Sequence, residues 1–250
     1  MAKSLREYVQ EGFYDGFASP SIVDKKAFGA AVLAHLAVTA KVDVEKSAAG
    51  VGSLVQSLFQ IGLTPSAHAG LVWVVPYGGK PTICVGYKGY LKLGWDAGYL
   101  ARITPQVVLT DESFEWIETS EGPVIRHSIP AKRAEARPDN IDLTYVSWSS
   151  QRGYHNAIRV EGSVIRGLYG RASGGSPWKS GGFLGMVLKT PIRAAAKFWD
   201  CSAEVRAALA AEDESEEVAH EYADTPVEEN GKAVADALAK AGLSKESTNE

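Results

Sequence analysis

Positive charge recurs in this sequence at helical spacing. Lys189, Arg193 and Lys197 stand four residues apart, so on a helix they share one face. At helical rise they would draw a line of cations about 12 Å long. No acid lies four residues before or after any of the three, as acids often do on a purely solvating face. Tyr87-Lys88-Gly89-Tyr90-Leu91-Lys92 repeats the spacing with Lys88 and Lys92, and sets Tyr87 and Tyr90 beside them. Lys132, Arg133 and Arg137 form a basic loop, while Arg102, Arg126, Arg152, Arg159, Arg166 and Arg171 are scattered. Thr190 offers a hydroxyl to a phosphate, or to its own helix. Lysine and arginine neutralise phosphates, and aromatic rings stack on unpaired bases. Together these residues suit a single strand of nucleic acid. Taken singly, each basic helix also reads as a solvated face, and each tyrosine as a core or rim residue.

The distribution of charge favours the first reading. Residues 1–206 hold 23 Lys and Arg against 18 Asp and Glu, a net of +5. Residues 207–250 hold 3 against 12, a net of −9. A mildly basic body with an acidic end raises the expectation of a polyanion ligand. No apolar run approaches the roughly 20 residues that span a bilayer. MAKSLREYVQEGF lacks the apolar stretch of a secretory signal. A cytoplasmic protein with no membrane contact is expected. Two distant cysteines, Cys84 and Cys201, suit a reducing compartment.

Other chemistries find little support. There is no GxxxxGK[ST], and Gly78-Gly79-Lys80 reads better as a hairpin turn. The five histidines are far apart, and His35 sits on an apolar helix where packing explains it. Asp111, Glu112, Glu115 and Glu118 are the raw material for a metal-dependent nuclease, although Phe114 and Trp116 between them favour a solvated sheet. No nucleophile arrangement stands out, so no catalytic residue, metal ligand or cofactor is assigned.

The elements that must position these residues follow from periodicity. Residues 1–20, with Gly12, Gly16 and Pro20, read as a flexible or loosely docked arm. A helix is expected from Ser21, as cap, carrying Ile22, Phe28, Val32, Leu33 and Leu36. A second opens at Ser47 and ends at Gly62, with Pro65 beyond. Residues 71–75 and 82–85 form a hairpin around a broad Gly-Pro turn. A short helix covers 87–97. Strands are expected at 100–109, 113–119, 123–129, 142–149 and 156–161, several alternating like half-buried antiparallel strands. Helices follow at 163–172 and 183–199, and Pro191 predicts a kink in the second, or a loop in its first half. Residues 203–222 read as an acidic helix, 223–230 as a linker and 231–241 as a short helix. The division is an arm at 1–20, a core at 21–206 that carries the basic residues, and an acidic tail at 207–250.

Three blocks in order resemble the RecT family of phage single-strand DNA annealing proteins. The first is SLVQSLFQIGLTP, Ser53 to Pro65. The second is Val75-Pro76-Tyr77-Gly78 with Val85-Gly86-Tyr87-Lys88-Gly89-Tyr90. The third is Ser163-Val164-Ile165-Arg166, Ser176-Pro177-Trp178, then Met186-Val187-Leu188-Lys189-Thr190-Pro191-Ile192-Arg193, with Lys197 following. The resemblance covers about residues 20–202. It departs at Leu188, where members often carry a base, and at 151–157.

The resemblance implies an α+β fold, with a β-hairpin and a small antiparallel sheet packed on helices. It implies a homo-oligomer, ring or helical filament, that anneals complementary strands without ATP and without covalent chemistry. It implies a partner exonuclease and contact with the host single-strand binding protein, in the bacterial cytoplasm. The candidate DNA contacts are Tyr87, Lys88, Tyr90, Lys92, Arg102, Arg126, Lys132, Arg133, Lys189, Thr190, Arg193 and Lys197. The helix at 22–38 and the hairpin at 71–85 are candidate subunit contacts. A metal-dependent nuclease and a protein-interaction scaffold are the alternatives.

Overall fold

Ser4 opens the first helix with a reciprocal cap. Its hydroxyl accepts from the Glu7 amide at 3.2 Å, and the Glu7 carboxylate accepts from the Ser4 amide at 2.9 Å. The helix α1 (Leu5–Gln10) buries Leu5 and Val9 and packs on α2 (Lys25–Val38). In place of a loose arm, residues 5–10 are therefore docked, because the Leu5/Val9 spacing makes an apolar stripe. The computed structural model describes residues 3–12, 22–45, 51–66, 69–77, 80–199, 202–211 and 213. The expectations for Gly16 and Pro20, for helix starts at Ser21 and Ser47, and for 223–230 and 231–241 lie outside these.

Asp24 caps α2, its carboxylate accepting from the Ala27 amide at 2.9 Å. The face Phe28, Val32, Leu33 and Leu36 is buried as its spacing predicted. Phe28 meets Phe59 of α3 (Gly52–Ile61) edge to face, with centroids 5.5 Å apart. Gly62 ends α3 at φ 74°, a left-handed position that a side chain would strain. His35 is buried on α2, where its Nε2 accepts from the Val74 amide at 2.9 Å. That bond pins α2 to β1 (Val72–Tyr77), and burial holds the imidazole below its ordinary pKa.

β1 pairs antiparallel with β2 (Lys80–Val85), Val74 opposite Ile83. Val72, Val74, Ile83 and Val85 face the core. The next helix, α4 (Tyr87–Asp96), seats directly on this hairpin. Gly89 permits that approach, since a Cβ there would lie 2.2 Å from the Leu71 carbonyl oxygen.

A three-stranded antiparallel sheet follows, in the order β3 (Leu100–Leu109), β6 (Ile141–Ser150), β7 (His155–Glu161). Pro105 is tolerated because β3 is an edge strand. One face of the sheet packs on α5 (Gly162–Arg171) and α6 (Phe183–Ala196) through Val107, Leu109, Ile141, Ile165, Trp178 and Val187. The other face carries a separate hairpin, β4 (Ser113–Ile117) and β5 (Val124–Ser128). There Phe114, Trp116 and Ile125 pack on Val108, Leu143 and Tyr145. The expected strands are all present, within two residues at each end.

α6 is helical from Phe183 onward, so its first half is not a loop. Pro191 is buried inside it. A last helix, α7 (residues 203–211), buries Val205 and Ala208 in the main core. It runs through the expected core boundary at 206.

Candidate nucleic-acid interface

α6 is amphipathic, and that decides where its cations point. Val187, Ile192, Ala195 and Ala196 are buried, which leaves Lys189, Arg193 and Lys197 along the rim. Lys197 is exposed at the C-cap, while Lys189 and Arg193 are half-buried. α4 packs beside α6. On α4, Gly89, Tyr90, Leu93 and Gly94 face inward, so Lys88 is exposed and Lys92 half-exposed on the outer side. Lys92 pairs with Asp96, one turn on, at 2.6 Å. Lys88 and Lys92 on one helix and Lys189, Arg193 and Lys197 on the other therefore stand on two helices in contact.

Tyr87 and Lys189 meet at an apolar cleft of about 260 Å³. Trp73, Val75 and Cys84 of the first hairpin form one wall, with Gly185 and Met186 of α6 opposite. Lys189 Nζ lies 3.6 Å from Cys84 Sγ. The cleft was not foreseen, although its signal was present. Alternation in β1 puts Val72 and Val74 inward, hence Trp73 and Val75 outward, and Cys84 pairs across from Trp73.

One residue here departs from its expected role, and for another the structure takes one of two expected partners. Tyr90 is fully buried and cannot stack on a base. It falls on the same side of α4 as Leu93, the side turned to the core. Thr190 donates its hydroxyl to the Met186 carbonyl at 3.0 Å, closing on its own helix.

The other four candidates lie elsewhere. Arg126 belongs to β5 and pairs across the hairpin with Glu115 at 3.0 Å. Arg102 is exposed on β3, at a concavity shared with His127, Tyr145 and His155. Lys132 is exposed in the loop after β5. Arg126 and Arg102 are on the sheet face opposite α6, so the sheet separates them from the α4–α6 cations.

Arg133 needs a larger correction. Its Nε and Nη2 donate to the two carboxylate oxygens of Glu112 at 2.6 and 3.0 Å, and it also donates to the Val107 carbonyl. Glu112 is not solvated, since its side chain is 0% exposed. It accepts further from the Leu109 amide at 2.8 Å and contacts His127 Nε2 at 3.1 Å. His127 Nδ1 lies 3.2 Å from the Tyr145 hydroxyl. Burial raises the Glu112 pKa, but Arg133, the Leu109 amide and His127 outweigh it and hold the carboxyl below its ordinary value. Burial pushes the Tyr145 phenol up. This hub fastens the β4–β5 hairpin to the sheet and occupies both carboxylate oxygens of Glu112. Among the described residues, no three His, Cys, Asp or Glu are grouped to hold a metal ion.

The geometry defines an α+β protein in which two helices that carry lysine and arginine pack against each other, with Tyr87 and Lys189 lining an apolar cleft. The RecT family model matches residues 44–226, and the chain belongs to that family. Membership implies binding and annealing of single-stranded DNA in recombination. No curated protein matches the chain. Among the described residues, no helix is long and apolar enough to cross a membrane.

Proposed function

We propose that the α4–α6 face grips one DNA strand by its phosphates and presents the bases for pairing. The observation that carries this reading is the packing of α4, with Lys88 and Lys92 outside its buried side, against α6, with Lys189, Arg193 and Lys197 outside its own. Cations in a row neutralise successive phosphates without reading sequence. Tyr87, half-buried at the cleft, supports the strand from the side. A complementary strand then samples registers against the displayed bases. Pairing and stacking contribute about 1.4 kcal/mol per step, so no nucleotide hydrolysis is required. The protein forms no covalent intermediate.

Neighbouring copies extend the face, giving a ring or helical filament and cooperative binding. A groove of about 540 Å³ between α1 and α2, walled by Ala30, Ala34 and Ala37, supports α2 as an assembly surface. A partner exonuclease supplies single strands, and the host single-strand binding protein is a further contact.

The test uses two complementary oligonucleotides carrying donor and acceptor dyes, added in turn without ATP. Fast annealing that slows with salt, and slows further in Lys189→Ala/Arg193→Ala, is the expected result. Two lost phosphate contacts lower the slope of log affinity against log salt by about 1.4 for a single strand. Annealing untouched by the double change rejects this face. No acceleration by folded protein rejects annealing and favours the scaffold.

A further inference from the structure

Arg193 already holds a carboxylate. Its Nη2 donates to Asp213 Oδ1 at 2.5 Å, and its side chain is 17% exposed. Asp213 stands in helical conformation two residues past α7, twenty residues along the chain from Arg193. α7 is anchored by Val205 and Ala208, both buried in the main core. Its nine residues span about 13 Å at helical rise, enough to carry the chain back beside the middle of α6. Asp213 itself is 54% exposed, so this contact can open while the anchor stays in place. In sequence, Glu212, Glu214, Glu216 and Glu217 surround it, within a segment of net charge −9.

A carboxylate and a phosphate offer a guanidinium the same paired oxygens. A phosphate oxygen cannot reach the occupied edge of Arg193 until Asp213 leaves. We infer that Asp213 fills a phosphate position on Arg193 in the DNA-free chain, making its carboxylate an intramolecular competitor of the strand. This inference rests on the reading of Arg193 as a phosphate contact. It gives the charge asymmetry a role: a strand that engages several cations together displaces Asp213, whereas an isolated phosphate does not.

The test measures affinity of the full-length chain for a fluorescent oligothymidylate, by anisotropy, across a salt series. Asp213→Asn keeps size and removes charge. It is expected to tighten binding about two- to fivefold at low salt, the range of a partly exposed ion pair. The gain shrinks as salt screens the pair. In an Arg193→Ala background the same change is expected to give no gain. Weaker binding by Asp213→Asn means that Asp213 positions Arg193, and overturns the inference alone. Unchanged affinity for Asp213→Asn, with Arg193→Ala weakened, also overturns it alone. Unchanged affinity for Arg193→Ala overturns the phosphate reading of Arg193 and the inference with it. Circular dichroism of each variant shows whether the fold is retained.

Discussion

Replacing Arg133 with alanine separates a structural cation from a DNA-binding one. Arg133 makes three hydrogen bonds, two to Glu112 and one to the Val107 carbonyl. Glu112 is completely enclosed, so the variant leaves a buried carboxylate with only the Leu109 amide and His127 beside it. Breaking a buried pair from one side costs about 3–5 kcal/mol. The Arg133 side chain is itself 31% exposed, and water entering there places the cost at the low end, about 3 kcal/mol. For a chain of this size each kcal/mol moves the midpoint about 2–4 °C, so a drop of roughly 6–12 °C is expected. Removing both charges, as Glu112→Gln with Arg133→Met, recovers at least half of it, because no unpaired charge remains. Thermal unfolding followed by circular dichroism measures both variants. Strand affinity, read well below the transition, is expected to be unchanged. An Arg133→Ala protein that melts like the parent but binds the strand more weakly would refute the reasoning, and return Arg133 to the DNA interface.

The remaining predictions concern other parts of the fold. His35 is held below its ordinary 6.5 by burial, so below that pH the unfolded chain takes up a proton that the native chain resists. Stability is complete above 6.5 and declines as pH falls toward the native value, and a midpoint that stays flat across that interval would contradict it. Glu112 is held below its ordinary 4.5, so its contribution persists above 4.5 and is lost as pH falls through the native value. The Cys84 thiol lines the cleft beside Lys189, so maleimide labelling of a Cys201→Ser chain is expected to slow when single-stranded DNA is added. Equal rates with and without DNA would place the strand elsewhere. Leu5→Ala removes a buried anchor of α1 and is expected to cost about 2 kcal/mol, with faster amide exchange across residues 5–10. Unaltered exchange there would mean that Leu5 does not hold the helix.

Local features were legible because local rules govern them. Apolar alternation located the strands, and glycine at a left-handed position ended α3 at Gly62. Four-residue spacing placed Lys189, Arg193 and Lys197 on one helix face, and three ordered blocks pointed to the family that the comparison shows. The inward side of α4 was less legible than its charge. Spacing set Tyr90 beside Lys88, but not which side of α4 the core would cover, and the core took Tyr90. Arg133 looked like any basic loop residue, since its partner Glu112 lies 21 positions away.

The sequence by itself determined the order of elements, the two basic helices and the acidic end, because propensity, periodicity and charge act over a few residues. Only the tertiary structure decided which cations are paired and which face of the sheet they lie on. The sheet parts Arg102 and Arg126 from α6, Glu112 claims Arg133, and Asp213 returns to Arg193. Those outcomes depend on burial and on contacts between distant segments, where the free energy of enclosing a group or pairing a charge is settled by packing rather than by spacing.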